Sequence, residues 1–346
     1  MPEAGYDELT CALGDAPFAP DERPPVARVD GREVRFDEAV EAAAALLRQA
    51  RAPLVYGLER TSCEAQRRAV ALAEAFGAVI DSGAAPSAFQ AIGSSTATFG
   101  EIRERAELVV AWRADPAVTH PPLLGRLRVR SLVAVDSTRT ATAEQADALI
   151  ALDDDFEALW ELRARVTGSP LRDGSPALED LARRLLEARH VAFVYGSLDE
   201  LTTLALFSLV RDLNRDRHAV TLALRDGNAR GAEDVVAWQT GFTGSVSFAR
   251  GHPRETLGAA ALLERGDVDA ALVLASAVPP AMLALPTVAV GSAPVAARVA
   301  FATAADGIEV PGTVHRMDGV PVPLRATRAA ERPSVEDVLA AIEGRA

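Results

Sequence analysis

The chain has 346 residues and no lysine; all 36 of its basic residues are arginine. That absence excludes a Schiff-base lysine, a P-loop lysine and a lysine general base. Cysteine is almost as scarce, with only Cys11 and Cys63, 52 positions apart. An iron–sulfur cluster needs four ligands, usually thiolates, and a structural zinc site needs four closely spaced Cys or His ligands. Neither pattern is present, and two cysteines do not make a disulfide framework. The five histidines are dispersed, at 120, 190, 218, 252 and 315. Aromatic residues make up 5% of the chain, so its core must be built from Ala, Val and Leu. No window reaches the roughly 18 apolar residues that a membrane span requires. The acidic start MPEAGYDELTCALGD lacks the basic-then-apolar layout of a secretory signal. Together these features point to a cytoplasmic protein. The net charge of −13 argues against a nucleic-acid partner, because phosphate binding needs a basic surface.

The length suggests two domains. Residues 1–36 read as an N-terminal arm, with a short strand pair in Val26–Phe36 turned at Asp30-Gly31. A helix is expected from Asp37, its N-cap, to Ala50. After the strand APLVYGL, Thr61 and Glu64 have the spacing of a capping box that opens a helix ending at Gly77. Further strands are expected at AVID, AELVVAW, SLVAVD and ALIAL, and helices near 154–166, 178–189 and 199–214.

The pattern then repeats. HVAFVYGS echoes APLVYGL, DVDAALVLAS echoes AELVVAW, and TVAVGSAPVAARVAFAT echoes SLVAVDSTRTATAEQADALIAL. Tyr56-Gly57 and Tyr195-Gly196 lie 139 residues apart. Apolar runs of this kind suit parallel strands buried on both faces. The expected architecture is α/β, with two related, mainly parallel, doubly wound units over 37–170 and 171–305, and a C-terminal hairpin and helix over 306–346. Residues 225–265 are Gly-rich and read as a long, loop-bearing crossover.

Candidate sites are few. Cys63 falls in the first turn of a helix, which suits either an activated thiol or a small buried hydrophobe. Gly57 and Gly196 end strands that feed helices, where phosphates bind, yet neither turn has the G-x-G-x-x-G spacing. Asp153–Asp155 reads as capping. Arg250, His252 and Arg254 share a Gly/Pro loop that suits an anion or a partner. In GIEVPGTVHRMDGVPVPL, two turn signals flank Thr313, His315 and Arg316. No metal-ligand spacing and no catalytic constellation emerges from the residues alone.

Four stretches, in order, resemble the B subunit of formylmethanofuran dehydrogenase, of the molybdopterin oxidoreductase superfamily: LVYGLERTSCEAQRRAVALAEAFGAVID, TFGEIRERAELVVAWRADPAVTHPPLLGR, GFTGSVSFARGHPRETLGAAALLERGDVDAALVLAS and GIEVPGTVHRMDGVPVPL. The last is similar to the superfamily's E-x-x-G-T signature near the pterin. The resemblance implies a molybdopterin-oxidoreductase type of fold. It also implies vestigial pterin-site positions at Ser87, His120, Arg250, His252, Thr313, His315 and Arg316. Two departures matter. The family's N-terminal cysteine cluster is reduced to Cys11. Where the family places the Cys or selenocysteine that ligates tungsten or molybdenum, the chain reads DSGAAPSAFQAIG, with Ser87 at that position. This combination is similar to the B subunit of the bacterial formyltransferase/hydrolase complex. There the A subunit, similar to amidohydrolases, releases formate, and the D subunit moves a formyl group from tetrahydromethanopterin to a methanofuran-type carrier. The expectation is a non-catalytic scaffold without cofactor, partnered by the A, C and D subunits in one-carbon oxidation. Two alternatives are a redox-active subunit holding tungstopterin or molybdopterin, and a small-ligand module using the cleft between the units.

Overall fold

The computed structural model describes residues 26–83, 86–274, 280–292 and 296–346. The first strands, β1 (Ala27–Val29) and β2 (Arg32–Glu33), form the expected pair turned at Asp30-Gly31. Helix α1 (Phe36–Gln49) follows; its N-cap is Arg35 rather than Asp37. Then come β3 (Pro53–Tyr56), α2 (Cys63–Ala75) and β4 (Val79–Asp81).

The chain then builds a second sheet. Helices α3 (Pro86–Ile92) and α4 (Phe99–Arg105) lead into β5 (Leu108–Trp112), α5 (Pro116–Thr119), α6 (Leu123–Leu127), β6 (Leu132–Asp136), α7 (Ala141–Gln145) and β7 (Ala148–Ala151). After them lie α8 (Asp155–Thr167), α9 (Pro176–Glu187), β8 (His190–Tyr195), α10 (Glu200–Leu213) and β9 (His218–Ala223). These strands form a five-stranded, all-parallel sheet in the order β7-β6-β5-β8-β9.

The chain returns through α11 (Ala229–Thr240), β10 (Ser245–Ser247), β11 (Arg254–Glu255), α12 (Ala259–Arg265), β12 (Ala270–Leu274), α13 (Pro280–Leu283), β13 (Thr287–Gly291) and β14 (Val299–Ala302). These complete a nine-stranded sheet in the order β11-β10-β4-β3-β12-β13-β14-β1-β2, parallel in its centre and antiparallel at both ends. The hairpin β15 (Gly312–His315) and β16 (Pro321–Leu324) and the helix α14 (Val335–Glu343) end the chain. Residues 1–25, which include Cys11 and most of the expected arm, lie outside the described residues.

Both sheets are covered on both faces. In β3, Leu54 joins one apolar cluster, with α12, and Val55 joins another, with α1, α2, α11 and α14. In β5, Val110 packs towards α8, α9 and α10, and Val109 towards α4 and α6. Each fully buried Leu or Val contributes about 1.5–3 kcal/mol, so these alternating contacts dominate the fold.

The repeat is real, and its parts are exchanged. The parallel run β14-β13-β12-β3-β4 matches β7-β6-β5-β8-β9 strand for strand, and each echoed sequence occupies the equivalent place in the other sheet. The sheets do not divide the chain at residue 170, as the reading of 37–170 and 171–305 expects. Strand β3 pairs with β4 on one side and with β12, not β5, on the other, so the first sheet is left open, 86–223 is built as an insert, and the first sheet is then closed. Nor is 225–265 mainly loop: it carries α11, which packs on α2.

Candidate functional site

The hairpin is shaped by its turn and by one close approach. Gly319 takes φ +79°, donates its N–H to the Arg316 carbonyl at 2.7 Å and closes the turn. Gly312 serves no turn. A Cβ there would sit 2.8 Å from the Ser62 Cβ, so its missing side chain lets β15 lie across the N-terminus of α2.

Three polar links follow along β15. Thr313 donates its N–H and its hydroxyl to the two carboxylate oxygens of Glu64, at 2.8 and 2.9 Å. Glu64 is therefore no capping-box partner of Thr61. The α2 N-cap is Ser62, and the Thr61 hydroxyl donates to the Leu58 carbonyl. Burial alone would raise the Glu64 carboxyl, but the bonds from Thr313 and its own amide, with Arg67 nearby, outweigh it and hold it below its ordinary range. His315 Nδ1 meets Asp234 Oδ2 at 2.7 Å, and its N–H donates to Asn228 Oδ1 at 2.7 Å. Arg316 grips Asp318 through two bonds of 2.6 Å and lies 4.6 Å over the Phe99 ring.

The hairpin tip reaches the other sheet. Asp318 Oδ2 accepts the Phe99 N–H at 2.7 Å, and Met317 packs on the apolar cluster of α4 and α6. Asn228, buried in the return connection, ties the same region together. Its amide donates to the Thr61 carbonyl at 2.8 Å and to Cys63 Sγ at 3.6 Å, and its backbone N–H to the Glu59 carbonyl at 2.6 Å. Beneath Ser62, Asp306 accepts the Ser62 N–H at 2.7 Å, while burial pushes its carboxyl up.

Beside this bracing lies a cleft of about 390 Å³ between the sheets. Its floor is the carboxyl end of β8 and β9, with Tyr195, Gly196 and Ala223; α11 and the hairpin tip form its walls. A Cβ on Gly196 would come within 2.0 Å of the Arg113 carbonyl oxygen. Arg225 pairs with Glu233 at 3.0 Å and Arg230 with Asp234 at 3.0 Å. Burial raises the Glu233 carboxyl against the pull of both arginines. It also raises the Tyr195 phenol. Arg225 Nε is buried and has no partner among the described residues.

The sequence-predicted positions separate accordingly. Thr313, His315 and Arg316 converge on the bracing, and His120 reaches its rim, with Nε2 3.3 Å from the Arg225 carbonyl. Arg250 and His252 do not join them. Their loop follows Ser247, which pairs with Val79 at the amino end of β4, so it lies at the opposite sheet edge from the cleft. There His252 Nδ1 lies 3.1 Å from the Arg250 carbonyl. The backbone of Ser87 lies on α3; its side chain is outside the described residues. Sequence reasoning missed Asn228, Asp234, Asp306 and Asp318. The one available signal was GNARG, an Asn between glycines at a helix start.

An inserted parallel sheet, a cleft at its carboxyl edge and a hairpin bridging two related layers define an α/β protein built from two related parallel sheets. Comparison with known proteins places it further. The chain is 33% identical over 350 aligned positions to the B subunit of the tungsten-containing formylmethanofuran dehydrogenase 2 of Methanocaldococcus jannaschii, covering 86% of this chain and 79% of that protein. It is 30% identical to the Methanococcus maripaludis protein of the same name, covering 89% and 82%. It is also 33% identical to the B subunit of the formyltransferase/hydrolase complex of Methylorubrum extorquens, covering 72% and 74%. The chain belongs to the family of formylmethanofuran dehydrogenase B subunits. A chain in the crystal structure of the Methylorubrum extorquens formyltransferase/hydrolase complex with methylofuran superposes with a TM-score of 0.78 at 30% identity, over 92% of this chain and 98% of that one. No family model matches.

The first of these relatives contains tungsten, which allows a test of fit. The described donors do not suit such a centre. Among the described residues no three His, Cys, Asp or Glu side chains are grouped to hold a metal. Cys63 is 3% exposed, and burial pushes its thiol up, away from the thiolate that a metal requires. The polar side chains of Thr313, His315 and Arg316 are already engaged by Glu64, Asp234 and Asp318. No helix among the described residues is long and apolar enough to cross a membrane.

Proposed function

We propose that this chain is the non-catalytic scaffold subunit of a formyltransferase/hydrolase complex, assembled with amidohydrolase-like A, C and formyltransferase D subunits. In this reading the complex moves a formyl group from tetrahydromethanopterin to a methanofuran-type carrier and hydrolyses it to formate. The observation that carries it is the engagement of the hairpin. The residues that resemble a pterin-site signature are spent on holding the two sheets together. The cysteine inventory supports the same reading, since the only described thiol is buried and burial disfavours its thiolate. A scaffold also needs contact surface, and the chain exposes several large apolar side chains, Trp238 at 78% and Leu201 at 61% among them.

Elemental and pterin analysis of the natively purified assembly tests this. Tungsten, molybdenum and released pterin are expected well below one per subunit, in an assembly that still converts formyl carrier to formate. Near-stoichiometric metal would restore the redox reading. A second reading is favoured by the unpartnered Arg225 Nε at a cleft of about 390 Å³: the cleft holds a small polar ligand. A thermal-shift screen with pterins, nucleotides and carrier fragments would show no stabilisation if that reading is wrong.

A further inference from the structure

Sheet edges invite pairing with another chain, and folded proteins blunt them with charge, brevity or cover. Of the four edges of the two large sheets, three are blunted. The strand β2 is Arg32-Glu33 and β11 is Arg254-Glu255, each two charged residues long. The strand β9 is covered by the segment at Ser95 and Thr96: Thr221 donates its N–H to the Ser95 carbonyl at 2.7 Å. The fourth edge, β7, differs. It reads Ala-Leu-Ile-Ala, with no charge and no proline, and pairs on one side only, with β6.

Beside that edge runs a groove of about 470 Å³, bounded by Ile150 and Leu152 on the strand side and by α8 and the segment at Leu171 on the other. Three large apolar side chains stand exposed around it: Trp160 at 46%, Leu171 at 40% and Phe156 at 36%. Phe156 and Trp160 meet edge to face at 6.0 Å, and Arg163 lies 4.2 Å over the Trp160 ring, so the aromatic pair is held in place without being covered. The rim is acidic. Glu157 and Asp173 line the groove and Asp153 lies next to it in sequence, all exposed and without an ion pair among the described residues, whereas the nearby Arg163 and Arg165 are paired with Asp212 and Glu161.

We infer that the β7 edge and its groove dock an extended segment of another subunit, one that carries an apolar side chain for the Trp160–Leu171 gap and arginine or lysine for the acidic rim. The segment adds a strand to the five-stranded sheet. Main-chain bonds supply adhesion, and the groove and rim supply selectivity. This rests on the proposed role as one component of a larger complex, and it names the surface that role uses.

The test places a photo-crosslinking residue at Leu171 of the full chain, co-produced with the other subunits. The expected product joins Leu171 to a segment rich in arginine or lysine on another subunit. In parallel, a variant with Asp153→Arg, Glu157→Arg and Asp173→Arg should weaken assembly by about tenfold or more, with the melting temperature of the isolated chain unchanged. Crosslinks to a second copy of this chain, or none while the chain still co-elutes with its partners, overturn the docking site and leave the scaffold role standing. A chain that elutes alone overturns both.

Discussion

Glu64 and Thr313, 249 positions apart, are joined by two hydrogen bonds that use both carboxylate oxygens of one and both donors of the other. A glutamate in the first turn of a helix would ordinarily serve its own helix end. Here it secures a hairpin from the far end of the chain. Glu64→Ala should therefore cost about 1–3 kcal/mol, the usual cost of stranding a partly buried donor. Urea unfolding measures this, and a loss below about 0.5 kcal/mol would mean that the hairpin finds other anchors.

Asn228 joins the hairpin, the α2 entry and the return connection at once. Asn228→Ala leaves the His315 N–H without its partner and removes the shorter of two bonds to the Thr61 carbonyl, which still accepts from Gln66 Nε2 at 3.2 Å. A loss of about 2–4 kcal/mol is expected. Hydrogen exchange at the His315 amide should accelerate more than at the core strands. Uniform acceleration across both sheets would contradict a local brace.

Two glycines differ in what they face. At Gly312 an added Cβ meets a side-chain carbon at 2.8 Å, whereas at Gly196 it meets a backbone carbonyl oxygen at 2.0 Å. Gly312→Ala should cost about 1–3 kcal/mol, within reach of a small hairpin shift. Gly196→Ala should be the worse of the two, because the β5 and β8 ends must separate. Paired denaturation curves decide the order, and the reverse ranking would refute it.

Acid and neutral pH act on different groups. Glu64 and Asp318 have folded values below their unfolded ones. The stability they add is full above about pH 5 and is lost as pH falls through the unfolded and then the folded values. Asp306 has a folded value above its unfolded one, so its contribution declines as pH rises through that interval. Asp306→Asn keeps an oxygen for the Ser62 N–H and removes the buried charge. The variant should equal or exceed the parent in stability at about pH 7, with the gap closing towards about pH 4. A clear loss at neutral pH, in urea midpoints taken from about pH 4 to 8, would show that Asp306 is held as a needed anion.

The strands were legible because burial on both faces leaves apolar runs such as Val109-Val110 and Leu272-Val273, and the repeat was legible because equivalent strands have equivalent burial. What those runs do not carry is partner choice. Nothing within APLVYGL distinguishes pairing with β12 from pairing with β5, so the sheet exchange was hidden. The Thr61–Glu64 spacing misled for a related reason, since a local motif yielded to Thr313 in a distant segment. The hairpin turn was plain from Asp318-Gly319, whereas its anchors, Asn228 and Asp234, sit in a segment whose glycines suggested loop. Arg250 and His252 shared a composition with a binding loop and lay at the wrong end of β4.

The exchange between the sheets also sets an order of events at the ribosome. The five-stranded sheet uses one uninterrupted stretch, from Leu108 to Ala223, and can close as soon as that stretch has emerged. The nine-stranded sheet cannot. Its β3–β4 edge waits for β12, and Asp81 and Ala270 are 189 positions apart. At about 5–20 residues per second, that is roughly 10–40 s during which β3 lacks its β12 neighbour. The insert is then a folded body against which the earlier strands and the later hairpin can assemble.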